Sequence, residues 1–446
     1  MGCSRQSVRS DAVEQSGLTV ITAIRPGRLA ALRRSLATIG TTIPFQNIST
    51  VHYAAFLVLP CLDDCPQRLV LETNYDGDLC THLDELITHG ALALDQIYDS
   101  CEDYPPAGAT RDAEGVKRYF KNHSETSSAF FVAFPRRSVE DIRNAIEVYQ
   151  EAKRFLDGYS RPSVTQTTNQ VWKELVEHFR SRSSVRPQRS PVTARKLKRL
   201  RWLHLLFLVG VVFVLPTLAI PLLTVLFQQV SWPFAIKLGA RALLAVLVFI
   251  PLILGAVLLV ARLCEVIEAR SSAPHDPTVR AVDQDVYDGL NVGPQNHLCT
   301  LATVRASRLR VFMVKMVLFV MKVAASKFFI LGNLGSISTI HFARWILIDK
   351  GKRLLFLSNY DGSWSGYLSD FSDQGFGINA IWGNTVGFLP TKWMLWGGAY
   401  YLEPFEDSVL RHFQPAELFY TAYGEYPVQN LKRYLDYRDA LAGALA

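Results

Sequence analysis

The sequence predicts an α+β protein built from two related βαββαβ units, with a two-helix membrane hairpin inserted between them. Three observations carry that expectation. Ser49-Thr50-Val51-His52-Tyr53-Ala54 returns as Ser338-Thr339-Ile340-His341-Phe342-Ala343, and Asn74-Tyr75-Asp76-Gly77 returns as Asn359-Tyr360-Asp361-Gly362. Between the copies, residues 202–261 are dominated by Leu, Val, Ile, Phe and Ala. Both flanks run strand, helix, strand, strand, helix, strand by their hydrophobic periodicity. A repeat of this length turns one chain into two units of common design.

In the first unit, residues 18–24 are strand-like, and Pro26-Gly27-Arg28 opens a helix through residue 36. Residues 51–59 and 69–73 are β-rich runs, and Asp76-Gly77 supplies the turn that ends the second. Leu79, Leu83, Leu86 and Ile87 have helical spacing over 79–97. Residues 129–134 form the last strand and 139–156 the closing helix. The second unit repeats this order at 301–304, 340–348, 354–358 and 418–423, and Val428, Asn430 and Leu431 match Val139, Asp141 and Ile142. Its first helix, expected over 311–331, is far more apolar than its counterpart, with only Lys315, Lys322 and Lys327 interrupting. Three lysines disfavour a spanning helix, so one lying at the bilayer surface or docked on the hairpin is expected.

A length of 446 residues suits about three domains. The expected boundaries are a disordered N-terminus at 1–17, the first unit at 18–160 and a basic linker at 161–201. Two transmembrane helices follow within 202–263, then a linker at 264–299 and the second unit at 300–446. Residues 202–227 are long enough for one span, with Pro216 and Pro221 as kinks, and 242–261 make a second. Arg180, Arg182, Arg186, Arg189, Arg195, Lys196, Lys198, Arg199 and Arg201 precede the first span. Such a cluster places both large units on the cytoplasmic side of an integral membrane protein. Because the basic run ends at a span, a nucleic-acid partner is excluded in favour of the lipid bilayer.

Seven cysteines include one close pair, Cys61 and Cys65, with nothing that completes a zinc pattern, so free thiols in a reducing compartment are expected. No Walker loop, dinucleotide glycine fingerprint, zincin helix, nucleophile elbow or kinase set occurs, which removes several enzyme classes.

The tandem βαββαβ order resembles the ferredoxin-like dimeric α/β-barrel superfamily over about residues 18–158 and 300–441. The resemblance implies that the two units form one pseudo-symmetric, barrel-like body. The superfamily includes haem enzymes such as dye-decolourising peroxidases and chlorite dismutases, cofactor-free monooxygenases, and small-molecule binding proteins. The repeated Asn-Tyr-Asp-Gly is similar to the Asp-Gly end of the peroxidase signature, without its leading glycine. Haem is therefore a cofactor that the resemblance implies, with His341 or His412 as the metal ligand.

His52 and His341 occupy matching strand positions and read either as a pair facing an enclosed cavity or as core histidines kept from a common ancestor. Asp76 and Asp361 read as backbone caps or as catalytic carboxylates. The second unit carries Arg344-Trp345 where the first has Ala55-Phe56, and it adds a segment at 378–388 rich in aromatics, glycine and amides. His341, Arg344 and Asp361 are the candidate catalytic set. Asn359, Asn379, Trp382, Asn384 and His52 are the candidate ligand-binding set, the alternative being an aromatic core with capped turns. The expected function is a membrane-anchored oxidoreductase acting on an apolar, membrane-derived small molecule, in one version with haem. The alternative is a non-catalytic membrane-anchored module that binds lipid or scaffolds a partner, with a homo-oligomer left open.

Overall fold

β-Branched and aromatic runs pair into two four-stranded antiparallel sheets, and the computed structural model thus gives an α+β architecture. It describes residues 13–39, 44–108, 111–158, 167–188, 194–228, 231–270, 276–279, 282, 290, 293–335 and 337–446. The first sheet contains β1 (Gln15–Ala23), β2 (Val51–Leu59) and β3 (Arg68–Asp76). The second contains β4 (Ala129–Val132), β5 (Gln295–Thr303), β6 (Ile340–Ile348) and β7 (Arg353–Asp361). After two short paired strands, β8 (Thr391–Lys392) and β9 (Trp396–Gly397), comes β10 (Ala416–Thr421), which joins the first sheet. The orders are β1-β3-β2-β10 and β4-β6-β7-β5.

Each unit therefore hands its last strand to the other. β10 pairs with β2, Thr421 opposite Tyr53, and β4 pairs with β6, Val132 opposite Phe342. The repeat holds in the register as well. Gln15 to Ala23 face Asp76 to Arg68, just as Gln295 to Thr303 face Asp361 to Arg353. The ladders β2–β3 and β6–β7 both slip at the same place, between Val51 and Tyr53 and between Ile340 and Phe342. His52 and His341 are the residues at these bulges. A bulge re-aims a side chain, which gives the two histidines a common placement.

The inner faces of the sheets meet in an apolar layer of Leu57, Leu59, Val70, Leu301, Ile346, Ile348, Leu355 and Leu357. The outer face of the first sheet is covered by α1 (Leu29–Ile39) and α2 (Leu79–Tyr98), through Leu32, Leu36, Leu83 and Leu86. α3 (Ala113–Asn122) follows α2, and α4 (Val139–Asp157) closes the first unit. With both faces covered, β2 and β3 are buried almost throughout, which explains the apolar runs Tyr53–Leu59 and Leu69–Leu71.

Part of the expected basic linker is a helix, α5 (Thr168–Ser181), whose Leu175, Val176 and Phe179 pack on Val148, Ala152 and Leu441. Its apolar stripe is short and set among charges, so it reads as linker in sequence. The expected disordered N-terminus gives way to β1 at Gln15, and its residues 1–12 lie outside the described residues. Cys61, Cys65, Cys101, Cys264 and Cys299 are free thiols, whereas Cys80 is disulfide-bonded, which corrects the expectation of free thiols throughout.

The apolar block forms α6 (Ala194–Val209), a π turn at Gly210–Val214, α7 (Leu215–Gln228) and α8 (Trp232–Ala269). Among the described residues, α8 alone is a single helix long and apolar enough to cross a membrane, and α6–α7 reaches that measure only as a pair bent by 46°. The π turn at Gly210–Val214 runs directly into the bend. Leu244, Phe249, Leu252 and Ile253 on α8 are exposed. At 38 residues and ~1.5 Å per residue, α8 is about 57 Å long, well beyond the ~30 Å hydrocarbon core. Its far end therefore reaches the second unit. There α9 (Arg308–Lys327), α10 (Trp364–Asp373), α11 (Gly375–Trp382), α12 (Leu402–His412) and α13 (Val428–Leu445) complete the fold.

Candidate functional site

The repeated His and Asp meet each other in both units. His52 Nε2 lies 2.8 Å from Asp76 Oδ1, and Asp76 Oδ2 accepts the backbone N–H of Val139 at 2.8 Å. His341 Nε2 lies 2.5 Å from Asp361 Oδ1, and Asp361 Oδ2 accepts the N–H of Val428 at 2.5 Å. Val139 and Val428 begin α4 and α13. Each carboxylate thus caps the distant closing helix of its unit, where an anion is favoured by the unpaired N–H groups and the helix dipole. The helices that directly follow the turns are capped by Asp78 and Ser363 instead. The histidine carbonyls hold the exchanged strands: Ala422 N–H donates to His52 O at 2.9 Å, and Ala133 N–H to His341 O at 2.8 Å.

One difference breaks the symmetry. His52 Nδ1 shares a short hydrogen bond with the Tyr423 hydroxyl. Phe134 holds the matching position in the other unit, packed on His341, and His341 Nδ1 has no partner among the described residues. Both histidines are fully buried.

Arg344 does different work. From β6 it crosses to the first sheet, where Nη1 donates to Leu18 O at 2.8 Å and Thr19 Oγ1 at 2.9 Å. Nη2 donates to Thr73 O at 2.9 Å and to Asn74 Oδ1. Glu72 Oε1 stands 3.5 Å from Nη2, and Glu72 Oε2 lies 2.6 Å from His297 Nε2. Asn74 Nδ2 donates to Asn359 Oδ1 at 2.9 Å, linking the two repeats of that motif. A Cβ on Gly17 would come within 2.6 Å of the guanidinium, so only glycine leaves room for it. Burial raises the Glu72 carboxyl, but Arg344 and His297 outweigh that and hold it below its usual value. Burial also lowers the Arg344 guanidinium from its ordinary value. This sealed ionic cluster rivets sheet to sheet, and removing one partner of such a pair costs roughly 3–5 kcal/mol. Sequence reasoning missed Glu72, Asn74 and His297. A charge inside the apolar run Leu69-Val70-Leu71-Glu72 was the signal available.

The remaining candidates are spread over the second unit. Asn379 Nδ2 donates to Leu395 O and Gly397 O, at 2.9 and 2.8 Å, and its Oδ1 accepts Ala399 N–H, so it shapes the β8–β9 turn. Asn384 Nδ2 donates to Ala380 O at 2.9 Å, and its own carbonyl accepts Arg305 N–H. Trp382 lines an apolar cavity of ≈ 20 Å³ with Leu298, Phe356, Phe371 and Phe405. A second cavity of ≈ 20 Å³ runs on from Trp382 to His412, and the unpartnered Thr300 hydroxyl faces both. Each holds about one water. His412 Nδ1 meets Ser408 O at 2.7 Å and Nε2 meets Asp276 at 3.1 Å.

The candidates are thus scattered: His52 and His341 with their aspartates at helix caps, Arg344 with Asn359 between the sheets, Trp382 with His412 on small cavities, and Asn379 and Asn384 on backbone groups. They do not share one pocket. Nor do the two histidines fit a haem. The His341 ring has Tyr53 and Phe134 packed at 5.1 and 5.9 Å and its Nε2 taken by Asp361. Both His412 nitrogens are engaged, and a one-water cavity beside it leaves no room for a porphyrin. Among the described residues, no three His, Cys, Asp or Glu side chains cluster to hold a metal ion. No protein-family model matches the chain, and no curated protein or solved structure matches it.

Proposed function

We propose that the chain is a non-catalytic, membrane-anchored module that holds a pseudo-symmetric, ferredoxin-like barrel body against the bilayer and engages lipid there. The observation that carries this reading is α9. Phe312, Met316, Phe319, Val320 and Val323 make an exposed apolar stripe along it, while Val314 and Leu318 on the other side enter the core. Its two ends are tied to the two arms of the hairpin. Arg310 donates to both carboxylate oxygens of Glu268 near the end of α8, at 3.1 and 2.7 Å. At the other end, Lys327 O meets His204 Nδ1 of α6 at 3.1 Å.

Residues 310 and 327 lie about 25 Å apart along the helix, so α9 bridges the base of the hairpin. The arms pack at the other end, where a Cβ on Gly239 would clash with Thr217 O at 2.6 Å. A helix set between two membrane arms, apolar toward the outside, with Lys315 and Lys322 exposed to reach headgroups, lies in the bilayer surface. The basic run that leads into the first arm, part of it within the start of α6, favours both units on the cytoplasmic side. His341 and Arg344, by contrast, are buried in the body.

The test uses the full chain in liposomes. It should resist alkaline extraction, and a photoactivatable phospholipid should label residues 312–323 as well as α8. Labelling confined to α7 and α8 would overturn the surface role of α9. A Soret band on haemin titration that is lost in His341→Ala would overturn the non-catalytic reading.

A further inference from the structure

Beside the start of α6 lies a cavity of ≈ 180 Å³, the roomiest of those described, at the junction of both units with the anchor. It has about ten times the ~15 Å³ that one water needs. Phe134, Leu197, Leu331 and Leu435 supply an apolar wall; Arg137, Lys432 and Asp436 supply a polar one. Leu197 stands seven residues before His204, about 10 Å along α6, on the side where the chain approaches the anchor.

The polar wall is built rather than incidental. The Arg137 side chain is 11% exposed; its Nη2 donates to Asp439 at 2.8 Å, while its buried Nη1 has no partner among the described residues. A buried guanidinium N–H left without a partner is a costly arrangement. Lys432 Nζ donates to Gly332 O at 2.6 Å and to Asn333 Oδ1 at 2.8 Å, which fixes the ammonium at the same wall. Gly332 has φ +74°, and a Cβ there would strike Ala133 O, so this turn is clamped on the exchanged strand. Burial lowers Lys432 to about 8, against the opposing effect of Asp436, and a bound anion would raise it again. Arg136, Lys198, Arg199 and Arg433, exposed close to the lining residues in sequence, are basic, while the exposed Asp436 of the wall is acidic.

We propose that this cavity binds the phosphate group of an anionic phospholipid between Arg137 and Lys432, its acyl chains leaving along Leu197 and Leu331 toward the bilayer. The site rests on the reading of the hairpin as a membrane anchor.

The experiment titrates the full chain, in mild detergent, with dioctanoyl phosphatidic acid, dioctanoyl phosphatidylcholine and inorganic phosphate by calorimetry. Phosphatidic acid should bind saturably at one per chain, and phosphatidylcholine about tenfold more weakly or less. Arg137→Gln and Lys432→Met should each weaken phosphatidic acid by about tenfold. Because Arg137→Gln also gives up the Asp439 pair, Leu197→Trp tests the apolar wall separately. It should weaken the lipid and leave inorganic phosphate unchanged. Inorganic phosphate binding as tightly as the lipid would make free phosphate the ligand and overturn the lipid assignment. Affinity within twofold in all three variants would overturn the site. Alkaline extraction of the parent protein separates the two readings: release from membranes sinks the anchor itself, whereas variant-insensitive lipid binding by a retained protein sinks only this cavity.

Discussion

His82 stacks on Tyr75 with ring centroids 3.8 Å apart, and its Nε2 shares a 2.8 Å hydrogen bond with the Thr73 hydroxyl. At the matching place in the second unit, Tyr367 stacks on Tyr360 at 4.1 Å and donates to Ser358 at 2.7 Å. The stack is common to both units, but only one of them titrates in the acid range. Desolvation lowers the buried His82 to about 3, and its Nδ1 has no partner among the described residues. An unfolded histidine takes up its proton near pH 6.5, so the folded state gains nothing from falling pH until about 3. The contribution of His82 is therefore complete above pH 6.5 and is lost as pH falls toward 3, at up to about 1.4 kcal/mol per pH unit. His82→Tyr, which copies the second unit, should flatten the melting temperature over that range. An acid limb as steep as the parent's would show that other groups set it. At this scale the sequence was partly legible. The repeated His and Asp were visible, and so was capping as a role for Asp, but the capped helix lies 63 residues away from Asp76. Nothing local names Val139 as its partner.

The elements were more legible than their ends. Strand pairs, turn glycines and the apolar hairpin all follow from periodicity, yet α8 begins at Trp232, not near 242. Pro233 reads as a breaker beside Gln228 and Gln229, whereas a proline in the first turn starts a helix readily. The far end overran for a different reason. Glu265 and Glu268 look like a polar stop, but they are the docking groups of α8. Glu265 accepts the Thr391 hydroxyl at 2.6 Å and the N–H groups of Trp393 and Met394 at 2.8 and 2.7 Å. Trp393 and Met394 have positive φ, a conformation that this one carboxylate helps to hold. Glu265→Ala would leave three donors without it, at roughly 1–3 kcal/mol each where water cannot reach. Hydrogen exchange over 391–397 should then quicken well before the rest of the second unit. Unchanged protection there would mean that the turn stands without the helix.

For the whole molecule, the decisive feature is the exchange of last strands, and the sequence could not announce it. Ala129–Val132 and Ala416–Thr421 are apolar β runs that fit either sheet, and pairing partners are a property of the assembled chain. The same holds for the Arg344–Glu72 contact, made at a sequence separation of 272 between residues that periodicity assigns to separate units. Exchange changes the domain expectation physically. Without β10, the edge of β2 would expose unpaired N–H and C=O groups beside a strand that is nearly all apolar, and β6 would do the same without β4. The shared layer of Leu57, Leu301, Ile346 and Leu357, together with the buried ionic cluster, adds cost to any separation. The two units should thus behave as one cooperative body. A protease site inserted between residues 158 and 167 tests this. After cleavage the two fragments should co-elute and melt together in one transition, because each still completes a sheet in the other. Fragments that part without denaturant, or two separate transitions, would show that the units are independent domains and that exchange does not bind them.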